Sequence, residues 1–154
     1  MPDPAGQRAE MRIAINGYGR IGRCILRALY ESGRSNEIKI VGINELSDLP
    51  SIAHLTQFDS THGKFCKQVS HDDTNLLIAD DVIKVSNEAN PSRINWRDLD
   101  VDVVLECSGS FTDRATAEQH LKSGASKVLF SCPAQPDVDA TIVFGLNEYL
   151  LHPK

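Results

Sequence analysis

The chain has 154 residues, 41% of them hydrophobic, and a formal net charge of −5 from 16 Lys and Arg against 21 Asp and Glu. That length suits one domain with a core of its own, and cationic side chains scattered without a basic run argue against nucleic acid or an anionic membrane as a partner. No apolar stretch approaches a membrane span, and Cys24, Cys66, Cys107 and Cys132 form no C-x-x-C, as expected of reduced thiols in a cytoplasmic protein.

Met1 to Glu10 is polar with two prolines, and is read as a flexible N-terminal arm, neither signal peptide nor strand. Met11 to Ile15 is then a short apolar run of the kind buried on both faces of a parallel sheet. Gly17, Gly19 and Gly22 follow with G-x-G-x-x-G spacing. In that pattern the first glycine permits the sharp turn, the second leaves room for a pyrophosphate, and the third lets the next helix lie close to the sheet. Ile21, Cys24, Ile25, Ala28 and Leu29 fall at helical spacing as the buried side of that helix, and Gly33 sits where a glycine would end it. Ile38 to Ile43 reads as a second strand, closed by Asn44 and Glu45. A carboxylate there, 23 positions after Gly22, stands where a dinucleotide-binding unit holds the adenosine ribose; the plain alternative is a solvated loop acid.

Further along, Ser47 or Asp48 can cap a short helix with Pro50 in its first turn and Ile52 and Leu55 on its buried side. Thr56 to Phe65 reads as a polar loop, and Leu76 to Val85 as two antiparallel strands folded back across Ala79 to Asp81, an insertion into the α/β rhythm. Val101 to Leu105 is another buried strand, ending in Glu106-Cys-Ser-Gly109. Thr112 or Asp113 caps a helix to Ser123 that Gly124 stops, and Lys127 to Ser131 and Thr141 to Phe144 complete the sheet. The fold class is therefore α/β, a Rossmann-type doubly wound and mostly parallel sheet with an inserted antiparallel hairpin. Ligands of such sheets bind at the carboxyl ends of the strands, which collects Gly17 to Gly22, Asn44, Glu45, Ser108, Gly109 and Ser131. For Ser108-Gly109 and Ser131-Cys-Pro133 ordinary turn residues are the competing account. The five histidines include no H-E-x-x-H and none pairs with a cysteine at zinc-finger spacing, so no metal site is expected.

Asn16-Gly-Tyr-Gly-Arg-Ile-Gly-Arg23, Asp59-Ser-Thr-His-Gly-Lys-Phe65, Glu106-Cys-Ser-Gly109 and Gly145-Leu-Asn147 resemble the NAD-binding half of the phosphorylating glyceraldehyde-3-phosphate dehydrogenase family. Ala28-Leu-Tyr-Glu-Ser-Gly33, Ile43-Asn-Glu-Leu46, Trp96-Arg-Asp-Leu99 and Asp137 to Phe144 are more similar to its erythrose-4-phosphate dehydrogenase branch. The resemblance covers Met11 to about Asn147 and implies NAD as cofactor, with 11–154 as the NAD-binding domain. It implies that Arg20 and Ile21 offer backbone N–H groups to the pyrophosphate, that Glu45 holds the ribose, and that Leu46 and Phe111 flank the adenine. Ser108 and Ser131 would lie towards the nicotinamide. Where the family often has Arg after the acid at the hairpin's exit, this chain has Glu88-Ala89.

The family's catalytic cysteine, in Ser-Cys-Thr-Thr-Asn-Cys, and its partner histidine belong to a second domain, and that motif does not occur here. Cys132, followed by Pro133, matches a non-catalytic position, so no catalytic residue is assigned. A catalytic domain outside this chain, a phosphorylated aldose as substrate and a full-length homotetramer are further implications of the resemblance. Three readings follow: the cofactor half of an erythrose-4-phosphate dehydrogenase, the same half of a glyceraldehyde-3-phosphate dehydrogenase, or a stand-alone NAD-binding module that is not an enzyme.

Overall fold

A computed structural model describes residues 10–151, and the expected N-terminal arm lies outside the described residues except for Glu10. The first apolar run forms strand β1 (Met11–Asn16), followed by helix α1 (Arg20–Glu31) and strand β2 (Ile38–Asn44). Next come helix α2 (Leu49–Gln57), the two-residue strands β3 (Phe58–Asp59) and β4 (Gly63–Lys64), and strands β5 (Val69–His71), β6 (Asn75–Ile78) and β7 (Asp81–Ser86). Strand β8 (Val103–Glu106), helix α3 (Arg114–Lys122) and strand β9 (Lys127–Phe130) complete the regular elements apart from short 3-10 turns.

Seven strands form one sheet in the order β5-β6-β7-β2-β1-β8-β9. The pairs from β7 to β9 are parallel and those of β5-β6 and β6-β7 antiparallel. Both faces of the sheet's central strands are covered, as parallel strands require. On one side Leu26 of α1 and Ile52 of α2 pack against Ile13, Ile15, Ile40 and Ile83; on the other, Trp96, Val101 and Ala125 pack against Ala14, Val41 and Val104. β1 lies between β2 and β8, so strand order reverses beside it. Ile13 of β1 pairs with Ile40 of β2, but Ala14 pairs with Gly42, which leaves Val41 as a one-residue bulge. The bulge lets Ile40 and Ile43, three apart, enter the same core cluster, and brings Asn44 level with Asn16.

Local signals place the ends well. Asp48 caps α2 by accepting from the Ser51 N–H at 2.9 Å, and Asp113 caps α3 by accepting from Thr116 at 2.7 Å. Gly33 (φ +72°) and Gly124 (φ +117°) follow the last turns of α1 and α3 in the left-handed region that glycine adopts without penalty.

Four expectations need correction. The core-facing row of α1 is Gly22, Leu26, Leu29 and Tyr30, with Arg27 buried alongside, whereas Ile21 and Ala28 are exposed. Arg27 rotates the helix because it is itself a core group: its guanidinium lies 5.2 Å from the Phe65 ring and donates to the Gly63 carbonyl. In α2, Ala53 and Thr56 join Ile52 on the buried side and Leu55 is exposed. The stretch Thr56 to Phe65 is no plain loop, since α2 runs to Gln57 and β3 and β4 pair antiparallel. The expected antiparallel hairpin is present as β6 and β7; a third strand, β5, joins it, and β7 pairs parallel with β2, so it extends the sheet.

Thr141 to Phe144, expected as the last strand, is not one. The Asn147 amide donates to the Thr141 carbonyl at 3.0 Å and accepts from the Val143 N–H at 2.7 Å, so a local turn engages groups that a ladder would need. Phe144 is 96% exposed there and packs against no layer.

Candidate functional site

The carboxyl ends of β1, β2 and β8 open into a cleft of about 300 Å³. It is lined by Asn16, Gly17 and Gly19 from the first turn, Asn44, Glu45 and Leu46 after β2, Glu88 and Ala89 after β7, and Cys107, Ser108, Ser110 and Phe111 after β8. The opening lies where strand order reverses, between the loops that follow β1 and β8.

Each glycine of the motif has a measurable role. Gly17 has φ +88°, and a Cβ on it would overlap the backbone Cα and N of Ser108. A Cβ on Gly22 would come within 2.6 Å of the Gly17 carbonyl oxygen and 3.1 Å of Ile15, which is the close helix-to-strand approach the spacing implies. Gly19 differs, because a Cβ there would meet nothing within 4 Å. The protein itself does not demand a glycine at that point, whereas a ligand seated against the turn would. Gly19 is also the N-cap of α1, with no side-chain cap and no acid in the first turn, so the positive end of the helix is left to an anion.

Glu45 faces this helix end from β2. Its Oε2 accepts from the Tyr18 N–H at 2.7 Å and its Oε1 from the Leu46 and Ser47 N–H groups at 2.8 and 3.2 Å. The carboxylate is therefore fixed on the rim, tied to the glycine turn. Tyr18 is buried, and its hydroxyl meets Thr56 of α2 at 3.0 Å, which anchors the turn from behind. Burial raises that phenol far above its ordinary value, more than the Thr56 contact lowers it, so it stays a neutral anchor.

Behind the cleft floor lies Glu106, 1% exposed. Burial alone pushes its carboxyl up. Hydrogen bonds from His120, from the Ser108 hydroxyl, from Asn16 and from the Ser108 N–H together outweigh that and hold it below the usual carboxylate value. Burial pushes the Cys107 thiol up more than Ser131 pulls it down, so Cys107 is not a ready thiolate.

Of the residues expected from the sequence, Gly17, Gly19, Asn44, Glu45, Leu46, Ser108 and Phe111 meet at the cleft. Gly22 acts from beneath as a packing contact, and Arg20 and Ile21 are exposed in the first turn of α1. Gly109 (φ +71°) lies between two lining residues without lining the cleft itself. Ser131 lines a different and larger cavity, about 520 Å³, between α3, β9 and the 132–143 segment. That cavity contains none of the glycine turn, and it lies where the expected last strand is missing. Asn16, Glu88, Ala89, Cys107 and Ser110 line the cleft without having been singled out as ligand contacts; the signal for Asn16 and Cys107 was their place at strand ends. Among the described residues no group of three His, Cys, Asp or Glu could hold a metal ion, and no helix is long and apolar enough to cross a membrane.

An uncapped helix end, open space at Gly19 and a fixed acid at the end of the second strand are what a dinucleotide requires. A family model described as the glyceraldehyde 3-phosphate dehydrogenase NAD binding domain matches residues 11–114, about two-thirds of the chain, from β1 to the first residue of α3. The cleft and that match agree on the cofactor, and this chain belongs to the glyceraldehyde-3-phosphate dehydrogenase family through its NAD-binding domain.

Proposed function

We propose that this chain is the NAD-binding half of an erythrose-4-phosphate dehydrogenase, which oxidises D-erythrose 4-phosphate to 4-phosphoerythronate towards pyridoxal phosphate. The observation that carries the cofactor half of this reading is the single cleft joining the open N-terminus of α1 to the Glu45 carboxylate. The branch rests on Ala28 to Gly33, Ile43 to Leu46, Trp96 to Leu99 and Asp137 to Phe144. The motifs Asn16 to Arg23 and Asp59 to Phe65 are common to the wider family and equally compatible with a second reading in which the sugar is glyceraldehyde 3-phosphate, against which the branch-like segments argue. A stand-alone NAD-binding module is the third. Residues 11–154 form the cofactor domain in each; in the two enzyme readings the substrate is a phosphorylated aldose and the complete protein is a cytoplasmic homotetramer.

Bound NAD supplies the hydride acceptor. The N–H groups of Arg20 and Ile21 hold the pyrophosphate at the helix end, and Glu45 accepts from the ribose hydroxyls. Leu46, 61% exposed, and Phe111 flank the adenine, and Ser108 lies towards the nicotinamide. The nucleophilic cysteine and its histidine come from the second domain, so this chain alone turns over neither sugar phosphate. A reproducible NADH signal from the purified chain, free of host enzyme, would overturn that division of labour.

Glu45 also sets the choice of nucleotide. A 2′-phosphate in place of the ribose hydroxyl would face a carboxylate already fixed by Tyr18 and Leu46. Two like charges about 4 Å apart repel by roughly 4 kcal/mol at an effective dielectric near 20, and even half of that exceeds the ~1.4 kcal/mol of a tenfold preference. Calorimetric titration should show NAD favoured over NADP by more than about tenfold, with Glu45→Ala weakening NAD and narrowing the gap. Equal affinities in the unsubstituted chain would mean that Glu45 does not face the ribose.

A further inference from the structure

We propose that Glu106 is a positioning residue of the cofactor cleft: its carboxylate, held from behind by His120 and Trp96, sets the spacing between the Asn16-Gly17 turn and Ser108. The proposal rests on the reading of this cleft as the NAD site. One oxygen serves each lip. Oε1 accepts from the N–H and the hydroxyl of Ser108 at 2.9 and 2.5 Å, and Oε2 accepts from the Asn16 amide at 2.6 Å and faces Nε2 of His120 at 3.0 Å. Because Gly17 and Ser108 are already at contact distance, neither lip can shift without the other.

The directions of the His120 and Asn16 donors are determined by groups that cannot reverse. The Trp96 indole N–H only donates, and it reaches Nδ1 of His120 at 3.0 Å, so the imidazole proton lies on Nε2 and points at Glu106. On the other side the Glu88 backbone fixes the Asn44 amide, donating to its Oδ1 at 2.9 Å and accepting from its Nδ2 at 2.9 Å. Nδ2 of Asn44 also donates to Oδ1 of Asn16 at 2.7 Å, which turns the Asn16 amide nitrogen towards Glu106. Donors thus converge from both ends on a side chain that must accept at both oxygens. With about four lone-pair sites and four donors the carboxylate is saturated, and it acts on a ligand only through Ser108 and Asn16. Replacing either oxygen by an NH₂ group sets it against two donors, and Trp96 prevents the imidazole from adapting.

The test compares the unsubstituted chain, Glu106→Gln, Trp96→Phe and the double variant. Hydrogen exchange is read by NMR at the Ser108 amide and at the indole proton of Trp96, the only tryptophan in the chain. NAD affinity is read by calorimetry. Glu106→Gln should exchange at least about tenfold faster at both protons and bind NAD at least about tenfold more weakly. In the Trp96→Phe background the same substitution should cost less, because the imidazole is then free to move its proton to Nδ1 and accept from the new amide. A merely structural glutamate would lower stability while leaving the NAD affinity of the folded chain unchanged, and unchanged affinity in Glu106→Gln overturns the proposal, as does unchanged exchange at Ser108 or strict additivity with Trp96→Phe. Should Glu106→Gln fail to fold by itself, recovery of folding in the double variant supports the proposal and its absence counts against it. If the unsubstituted chain binds no NAD, the function proposed above fails, and the exchange data still decide the role of Glu106.

Discussion

Gly17 and Gly19 stand two positions apart in one turn, yet substitution should separate their roles cleanly. Alanine at Gly17 must adopt φ +88° and displace the Ser108 backbone. It should cost about 2–4 kcal/mol of folding stability, measured by denaturant unfolding. At Gly19 φ is −77° and a Cβ has open space, so Gly19→Ala should cost about 1 kcal/mol or less as a poorer N-cap. Its NAD affinity should nevertheless fall by at least about tenfold, since the methyl occupies the space of the pyrophosphate. Equal destabilisation by the two alanines would contradict this account. Arg27 carries a different lesson at the same scale. A charged side chain 4% exposed, stacked on Phe65 and bonded to Gly63, is invisible to hydrophobic periodicity, and it explains why the buried row of α1 was misjudged.

Among elements, those bounded by caps and stops were legible and those bounded by partners were not. The Asp48 and Asp113 caps, the Gly33 and Gly124 stops and the turn after β1 are written in a few adjacent residues. Strand β5 and the bulge at Val41 depend on which strand lies alongside, which no local pattern states, whereas Thr141 to Phe144 is taken up by the turn that Asn147 closes. The site divides in the same way: its glycine turn and Glu45 were legible, whereas Glu106, His120 and Trp96 meet only after three separate elements have packed. The caps also yield a measurement. Asp113→Ala removes the 2.7 Å acceptor of the Thr116 N–H and should cost about 1 kcal/mol, lowering the melting temperature by roughly 2–4 °C. Because Asp113 does not line the cleft, NAD affinity should stay within about twofold. A loss of affinity larger than the loss of stability would show that the start of α3 reports directly to the cleft.

At the scale of the molecule, one side of the fold is left apolar and open. Leu129 of β9 is 59% exposed, and Val143, Phe144, Leu146, Tyr149 and Leu151 are exposed in the segment that follows. Surfaces of that kind favour association, so the isolated chain should bind a hydrophobic dye and sediment as concentration-dependent oligomers. Phe144→Ser with Leu146→Ser should reduce both signals, and a strictly monomeric, dye-silent chain at high concentration would refute the expectation. The middle strand of the sheet carries a constraint of another kind, in the bulge at Val41. It places the two halves of β2 in opposite phase, so that Ile40 and Ile43 share a core cluster and Asn44 stands level with Asn16. Side chains along a strand alternate, and losing one residue reverses every position beyond the loss. A single deletion between Ile40 and Asn44 must therefore either erase the bulge or turn Asn44 and Glu45 away from the cleft. A length change in β2 thus spares the site only where it removes the bulge itself and leaves Asn44 level with Asn16.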